Sequence, residues 1–393
     1  MKNEDWKECS FKDLYLIPSK NGVSKPSRIR GSGYKMINMG ELFSNDRIYD
    51  IPMELVPLTE LEKQSSKVEK GDLLFARQSL VAEGAGKCSI VMDVSPLTVF
   101  ESHLIRVRLN PLKADSLFFY YYFKSPKSPI KRIIQHCVQA GIKASDLAEL
   151  IVKIPSLAKQ KEIAKILSAL DDKIELNNAI NRNLEEQAQV IFKNWFVDFE
   201  PFGGVKPKNW IQSDIYNIAR IIYGAPFSSK LFNTEKNGKP IYRIRDLKEQ
   251  VSEVYTSEEI DDAYLIQPKD IVVGMDGEFR PYIWGGEPGW LNQRVCVFEN
   301  KRPKGKAFLY FSIKPLLDQV EKTQVATTVI HIGKKDFDRF EITLPSNEVL
   351  DSFDKLTNPI IDEIVANRQE NQRLTTLRNA LLPKLMSGEI NVA

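Results

Sequence analysis

The sequence contains few cysteines and histidines and no long run of apolar residues. Its 393 residues include four cysteines, Cys9, Cys88, Cys137 and Cys296, and no two of them form a Cys-x-x-Cys pair. This scarcity argues against a disulfide framework or a zinc ribbon, and free thiols are typical of a reducing cytoplasm. Apolar stretches such as Leu117–Phe123 are far shorter than the roughly 20 residues of a membrane helix, and the charged N-terminus is unlike a signal peptide. We therefore expect a cytoplasmic protein that does not bind membranes.

The charge of the chain is nearly balanced, which permits nucleic-acid binding without requiring it. The net charge is +3 at pH 7, with 42% hydrophobic and 27% charged residues. This composition is ordinary for a folded protein, and a local basic face can exist within so small a total. A chain of 393 residues exceeds the usual size of one hydrophobic core, so we expect two or three domains.

Motifs that carry catalysis are missing from the sequence. It contains no Pro-Pro pair, and therefore no Asn/Asp-Pro-Pro-Tyr/Phe motif of an adenine methyltransferase, and it contains no Gly-x-Ser-x-Gly motif. His103, His136 and His331 do not have the spacing of zinc ligands in a hydrolase. Gly84–Lys87 resembles the end of a phosphate-binding loop, but Val81 replaces its first glycine, so we interpret it as a turn. We predict no catalytic residue and no metal site in this chain.

An internal repeat is the most informative feature. A shift of 190 positions places residues 141–196 over residues 331–386 without a gap. Identical residues in this register include Asp146 with Asp336, Pro155 with Pro345, Asp172 with Asp362, Asn177 with Asn367, Asn181 with Asn371, and Leu184 with Leu374. Chance explains one register over so long a block poorly, so we predict two similar halves.

Each half is predicted to contain a strand-rich domain, then a strand that ends before a proline, then a long helix. The stretches Leu104–Leu109 and Arg294–Phe298 alternate apolar and polar residues, as half-buried strands do. We predict shorter helices over Ser116–Phe123 and Phe308–Val320. The predicted fold class is α+β: two strand-rich α/β domains separated by a pair of long antiparallel helices, with a pseudo-two-fold internal repeat.

Heptad patterns run along both predicted long helices, in alternating steps of three and four residues. The seam residues are Ile163, Leu167, Leu170, Ile174, Asn177, Asn181 and Leu184 in the first helix and Ile364, Asn367, Asn371, Leu374 and Leu381 in the second. An asparagine in an apolar seam weakens packing but fixes register and partner. We expect the two helices to pack against each other, with the second beginning near Pro359. A generic coiled coil is the alternative.

Basic and amide side chains suited to DNA occur in both halves. Lys and Arg neutralise phosphates, whereas Arg, Gln and Asn can also read base edges bidentately. The predicted DNA-binding residues are Lys20, Lys25, Arg28, Arg30, Lys35, Arg77 and Gln78 in the first half and Lys230, Arg243, Arg245, Arg280, Asn292, Gln293 and Arg294 in the second. Taken singly, each is better explained as a solvated surface residue. As a set that occurs twice, they indicate DNA binding.

Several segments together resemble the specificity subunits of type I restriction–modification systems over nearly the whole chain. These segments are Gly71–Arg77, Leu157–Ala164 with Leu170–Ile174, Asp270–Gly277 with Leu291–Val295, and Leu381–Ile390. One departure concerns Ile154-Pro155-Ser156-Leu157-Ala158, where the family often has a Leu-Pro-Pro-Leu lead. Only the local loop is affected by this difference.

The resemblance implies a non-catalytic subunit that reads a bipartite target in double-stranded DNA. Its target-recognition domains would cover residues 1–155 and 201–345, and its helical spacers residues 156–200 and 346–393. The helix-seam residues would also take part in docking two modification subunits, which bind S-adenosylmethionine and methylate adenine. Two restriction subunits are optional partners that supply ATP- and Mg-dependent translocation and cleavage. This chain would itself need no cofactor.

Two other functions are compatible with parts of the sequence. A coiled-coil scaffold with two protein-binding globular domains would also show the repeat and the heptads. A single-chain nuclease or methyltransferase is opposed by the absent motifs. Salt-dependent DNA affinity distinguishes the first alternative from a DNA reader, and activity of the purified chain alone tests the second.

Overall fold

The protein is represented by a computed structural model, which describes residues 6–79, 84–136, 140–302, 304–323 and 330–392. It divides into a first unit, Met1–Asp172 with Thr376–Ala393, and a second unit, Lys173–Thr375. Val81 and Cys137, which entered the sequence analysis, lie outside the described residues. The thiols of Cys9, Cys88 and Cys296 are free.

The strand-rich part of the first unit, here the first module, runs from the first to the thirteenth strand. The strands are β1 Lys7–Ser10, β2 Tyr15–Asn21, β3 Tyr34–Ile37, β4 Arg47–Ile48, β5 Glu54–Val56, β6 Leu73–Ala76, β7 Gln78–Ser79, β8 Cys88–Val91, β9 Val99–Phe100, β10 Leu104–Leu109, β11 Gln135–His136, β12 Ala140–Gly141 and β13 Ile151–Ile154. The helices are α1 Met39–Ser44, α2 Glu60–Ser65, α3 Ser116–Lys124 and α4 Ala144–Ala148. The strand predicted over Leu104–Leu109 and the helix predicted from Ser116 are confirmed.

A five-stranded sheet in the order β2-β10-β6-β8-β4 organises this module. Every residue of the central strand β6 is buried, as its uninterrupted Leu-Leu-Phe-Ala sequence suggests. Phe123 lies in the core with its ring centroid 5.0 Å from that of Phe11 and 5.1 Å from that of Phe75. Each fully buried aromatic side chain contributes about 1.5–3 kcal/mol. Helix α3 begins where the Asp115 carboxylate accepts a hydrogen bond from the Phe118 amide at 2.8 Å.

The second module is the strand-rich part of the second unit. Its strands are β14 Ile211–Asp214, β15 Ala219–Tyr223, β16 Phe232–Asn233, β17 Lys239–Tyr242, β18 Tyr255–Thr256, β19 Leu265–Ile266, β20 Ile271–Gly274, β21 Pro281–Ile283, β22 Gly289–Leu291, β23 Val295–Asn300 and β24 Glu341–Leu344. Its helices are α6 Lys306–Thr323 and α7 Lys334–Phe337. The predicted strand near 294–298 and helix over 308–320 are thereby confirmed.

Sheet topology repeats between the two modules. The order β15-β23-β20-β21 in the second module reproduces β2-β10-β6-β8 in the first. Each module also has one parallel pair in a second sheet, β3 with β9 and β17 with β22. The strands that precede the long helices pair in the same way, β13 with β1 and β24 with β14. The internal repeat therefore extends to the hydrogen-bonding pattern of the sheets.

Two long helices follow these last strands: α5 covers Leu157–Phe196, and α8 covers Asn347–Ser387. Each begins after a Pro-Ser pair. The Ser156 hydroxyl accepts a hydrogen bond from the Lys159 amide at 3.4 Å, and the Ser346 carbonyl accepts one from the Leu350 amide at 3.1 Å. The serines thus stand at the point where the chain turns into the helix.

The prediction that the second long helix begins near Pro359 is wrong. Helix α8 starts twelve residues earlier, and Pro359 lies within it. Proline removes one backbone hydrogen bond from a helix interior. Leu350 and Phe353 of the preceding turns are buried in the core of the second unit, and this burial offsets the lost bond because tertiary packing supplies most helix stability.

The α+β fold class, with strand-rich modules and long antiparallel helices, is confirmed. The four domain boundaries proposed from the sequence remain predictions. Among the described helices, none combines the length and the apolar character needed to cross a membrane.

Candidate nucleic-acid interface

Four segments of the first module are tied together by backbone hydrogen bonds. The Val23 amide donates to the Phe100 carbonyl at 2.8 Å, and the Arg77 amide donates to the His103 carbonyl at 2.8 Å. The Ile142 amide donates to the Arg77 carbonyl at 2.9 Å. We call this surface the first loop edge; its segments are residues 22–30, 77–79, 101–103 and 140–142, and they include the short strands β7 and β12.

The second module repeats this arrangement at equivalent positions. The Ala225 amide donates to the Leu291 carbonyl at 3.0 Å, and the Met275 amide donates to the Arg294 carbonyl at 2.9 Å. The Ile332 amide donates to the Met275 carbonyl at 2.9 Å. We call this surface the second loop edge; its loops are residues 224–231, 275–277, 292–294 and 330–332.

One glycine in each loop edge permits a close backbone approach. A Cβ atom on Gly22 would lie 1.9 Å from the Phe100 carbonyl oxygen, and one on Gly224 would lie 2.0 Å from the Asn292 carbonyl oxygen. No side chain fits at these distances without a backbone shift. Glycine is therefore required where each module brings its first and third loops together.

Three predicted DNA-binding cations of the first module are held in ion pairs inside it. The pairs are Lys25 with Glu62 at 2.8 Å, Arg30 with Glu54 at 2.6 Å and Lys35 with Asp50 at 2.7 Å. Hydrogen bonds from Lys35 and Ser95 lower the pKa of the Asp50 carboxyl group. These carboxylates would compete with a phosphate for the same charges.

The other predicted residues of the first module are more available. Lys20 and Arg28 are exposed, and Arg77 and Gln78 are half-buried on the first loop edge. Within the described part of the chain, Lys20, Arg28 and Arg77 form no ion pair. No carboxylate among the described residues would compete for them with a nucleic-acid phosphate or base.

The predicted DNA-binding residues of the second module also divide into available ones and ones held in ion pairs. Lys230 and Arg245 are exposed and form no ion pair with any described residue. Asn292 is half-buried and Gln293 exposed on the second loop edge. Arg243 instead contacts Asp246, with its Nε 3.0 Å from Oδ2, and the same carboxylate accepts from the Arg243 amide. Arg243 therefore stabilises its own turn.

Arg280 lies among carboxylates. Its guanidinium nitrogens are 3.5–3.8 Å from oxygens of Glu278, Asp318 and Glu321. Such an environment already neutralises the cation and would repel a phosphate. As with all the predicted DNA contacts, its role stays a prediction.

Arg294 belongs to a cluster with Asp276 and His331 that sequence reasoning missed. His331 Nδ1 lies 2.6 Å from Asp276 Oδ1, and Arg294 Nε lies 3.6 Å from Asp276 Oδ2. Arg294 Nη1 is 3.5 Å from His331 Nδ1. The sequence did contain a signal for Asp276. When Asp72 is aligned with Asp270, Asp276 takes the position of Gln78, which was predicted to bind DNA.

The seam asparagines meet within the second unit. The Asn177 side-chain amide donates to Asn371 Oδ1 at 2.9 Å, and the Asn367 amide donates to Asn181 Oδ1 at 3.0 Å. The Asn181 amide also donates to the Ile364 carbonyl at 3.1 Å. The shift of 190 positions converts the Asn177–Asn371 contact into the Asn367–Asn181 contact. Contacts that move forward along α5 move backward along α8, so the two helices run antiparallel here.

In the first unit the same two helices pack against the first module. Ile163 and Leu167 are buried in one core with Leu382 and Leu385, and Leu381 packs at its margin. The other seam residues, Leu170, Ile174, Leu184 and Leu374, are half-buried. Partner docking by the seam residues stays a prediction.

A polar triad, Tyr121, Asp171 and Arg378, lies beside this packing in the first unit; Tyr121 and Asp171 are buried and Arg378 is half-buried. The Tyr121 hydroxyl donates to Asp171 Oδ2 at 2.7 Å, and Arg378 Nη1 lies 2.5 Å from Asp171 Oδ1. Burial raises the pKa of the Tyr121 hydroxyl, and the Asp171 carboxylate raises it further. The hydrogen bonds compensate for burying the carboxylate.

The loop that resembles a phosphate-binding segment has internal partners. Lys87 Nζ donates to the Phe43 carbonyl at 2.7 Å and lies 3.2 Å from Asp46 Oδ1. This is compatible with a turn. No group of three or more His, Cys, Asp or Glu side chains is arranged to hold a metal ion among the described residues.

Comparison with known proteins gives consistent matches over the chain. The model of the type I restriction modification DNA specificity domain matches residues 3–186 and 207–374. The type I restriction enzyme MjaIX specificity subunit of Methanocaldococcus jannaschii is 26% identical, over 99% of this chain and 94% of that protein. The HindI specificity subunit of Haemophilus influenzae is 25% identical, over 98% of this chain and all of that protein.

A solved structure has a similar fold. The type I restriction-modification system S subunit from M. genitalium superimposes with a TM-score of 0.58 at 17% identity, covering 98% of this chain and 97% of that one. Because the family model matches most of the sequence, in two copies, this chain belongs to the family of type I restriction-modification DNA specificity domain proteins.

Proposed function

We propose that this chain is the DNA-reading, non-catalytic subunit of a cytoplasmic type I restriction–modification assembly. Each loop edge reads one half of a split target in double-stranded DNA. The observation that carries the proposal is the repeated backbone framework of the two loop edges, which present different side chains. A protein with two such edges is suited to two different half-sites.

Phosphate contacts would set the position of each module on DNA. Lys20 and Arg28 of the first module and Lys230 and Arg245 of the second are exposed cations without an ion pair among the described residues. Contacts of this kind carry no sequence information but determine register. Amide and guanidinium groups on the loop edges then supply base contacts in the major groove.

The long helices would dock the two modification subunits. In the second unit α5 exposes Leu176, Ile180 and Val190, and in the first unit α5 exposes Ile166 and α8 exposes Leu377. Apolar side chains on otherwise charged helices favour a protein partner. Two restriction subunits would join the same assembly.

Catalysis would reside on the partners. The modification subunits would bind S-adenosylmethionine, and the restriction subunits would use ATP and Mg. This chain would position those subunits on the target sequence and would need no cofactor of its own.

The test is co-expression with the modification subunit of the same system, followed by genome-wide mapping of methylated adenines. We expect a motif of two short half-sites separated by a fixed gap. A stable complex that produces no new methylation would instead favour a scaffold. Methylation or cleavage by the purified chain alone would overturn its assignment as non-catalytic.

A further inference from the structure

We infer that Arg294, oriented by Asp276 and His331, is the guanine-reading side chain of the second module. The inference rests on the proposed function and names one base contact within it. It concerns a single G·C pair in one of the two half-sites.

The three side chains are held by their backbones. The Met275 amide donates to the Arg294 carbonyl at 2.9 Å, and Asp276 forms a β-bridge with His331. The Val295 amide closes the turn by donating to the Asn292 carbonyl at 2.9 Å. Loops that are distant in sequence therefore present one cluster at the second loop edge.

Within the cluster the carboxylate orients the guanidinium. Asp276 accepts a hydrogen bond from His331 Nδ1 at 2.6 Å through Oδ1. Its other oxygen, Oδ2, lies 3.6 Å from Arg294 Nε. The Asp276 side chain is 27% exposed, whereas the Arg294 side chain is 55% exposed. The arginine is thus restrained on its inner side and open on its outer side.

This geometry fits a guanine more closely than a phosphate. Guanine presents two acceptors in the major groove, O6 and N7, which match a fork of N–H donors. Arg294 Nε lies beside Asp276 and Nη1 lies 3.5 Å from His331 Nδ1, so Nη2 and the second N–H of Nη1 supply that fork. Restraint of the fork before binding reduces the entropy lost on binding. Lys230 and Arg245 lack a restraining partner among the described residues and suit phosphates.

The first module presents a different group at the same positions. His103 occupies the place of Arg294, since its carbonyl accepts from the Arg77 amide as that of Arg294 accepts from Met275. Gln78 occupies the place of Asp276. His103 Nδ1 lies 3.2 Å from Glu101 Oε2. At these positions the first module has no carboxylate-oriented arginine, so the contact proposed for Arg294 has no counterpart there.

The experiment begins with the motif mapped for the full chain co-expressed with its modification subunit. The variants Arg294→Ala and Arg294→Lys are then mapped in the same way. We expect one G·C pair in one half-site to become degenerate while the other half-site is unchanged. Discrimination at that pair should fall about 5- to 150-fold, the usual range for a bidentate base contact.

Arg245→Ala is the matched control, because it removes an exposed cation of the same module that has no ion pair among the described residues. It should lower methylation at all sites without changing the motif. Asp276→Asn should relax the same G·C pair as the Arg294 variants, but less.

A second measurement uses the unaltered complex, so it does not depend on the folding of a variant. Its affinity is measured for a duplex carrying the mapped motif and for duplexes with 7-deazaguanine at each guanine in turn. We expect one position in one half-site to lose affinity, because 7-deazaguanine lacks the N7 acceptor.

Outcomes for the inference and for the proposed function can be separated. If the unaltered complex gives no split motif, the proposed function fails. If it gives a split motif but every 7-deazaguanine duplex binds equally, or Arg294→Ala leaves the motif intact, only the guanine assignment fails.

Discussion

The two units pack their module against the long helices in different ways. In the first unit, the buried Asp171 joins Arg378 and Tyr121 in a polar triad. A shift of 190 positions places Ile361, Ala188 and Phe311 at these points of the second unit, where all three are buried in one apolar core. The same position of the repeat thus holds an ion pair in the first unit and an apolar contact in the second. Packing volume and polar satisfaction matter at this position more than residue type.

The two loop edges differ in their side chains and not in their backbone contacts. Their interloop hydrogen bonds are equivalent, yet Arg77 and Gln78 stand where the second module has Met275 and Asp276. A shared framework with different surface groups is suited to reading two different half-sites.

The largest effect is expected from breaking the triad. Arg378→Ala should lower the free energy of unfolding by about 3–5 kcal/mol, because it leaves the Asp171 carboxylate buried without its cation. The measurement is the urea midpoint of the full chain. The triple variant Tyr121→Phe, Asp171→Ile and Arg378→Ala reproduces the side chains of the second unit and should recover most of this loss. A triple variant as unstable as the single one would contradict the comparison.

A smaller loss of stability, of equal size at the two positions, is expected at Gly22 and Gly224. Gly22→Ala and Gly224→Ala should each cost about 1–3 kcal/mol, since either Cβ meets a carbonyl oxygen and forces the backbone to move. Thermal unfolding of both variants checks this. Gly40→Ala is the control, because nothing lies within 4 Å of its Cβ. A clear inequality between Gly22 and Gly224 would show that the loop edges are not equivalent.

Asn371, the seam asparagine that is only half-buried, should contribute less to the free energy of unfolding. Asn371→Ala should cost about 0.5–1.5 kcal/mol, the net value of an ordinary hydrogen bond. The cost is limited because the Asn177 amide keeps a second acceptor, Glu370 Oε2, at 2.7 Å. Denaturant titration measures the loss. A loss above that of Arg378→Ala would assign the layer a larger role than its contacts indicate.

The smallest effect concerns DNA affinity and its dependence on salt. Arg28→Ala and Lys230→Ala should each reduce the slope of log affinity against log salt by about 0.9. Lys35→Ala should change the slope less, because Asp50 already pairs with Lys35. The pKa of Asp50 is lowered below its ordinary value of 3.8, so this carboxylate is charged at neutral pH. The ion pair of Asp50 with Lys35 is lost only as the pH falls through that lowered value. The smaller change of slope for Lys35→Ala should therefore hold between pH 6 and 8. Equal slopes for all three variants would contradict it.

Much of the architecture could be predicted because it depends on local periodicity. The strand Leu104–Leu109 and the shorter helices follow from alternating and helical patterns, as does the heptad seam. The start of α8 could not, because burial of Leu350 and Phe353 outweighs the helix-breaking effect of Pro359. Pattern reasoning weighs each residue by its neighbours in sequence and omits what a distant core supplies.

The sequence by itself determined the repeat, the fold class and the family, because these depend on residue order and spacing. Only the tertiary structure decided which predicted cations are free. Lys25, Arg30 and Lys35 lie in a basic segment, but their charges are paired with carboxylates located 15–37 residues away. It also brought Asp276 and His331 to Arg294. Electrostatic contacts depend on distance in space, and the path of the chain sets that distance.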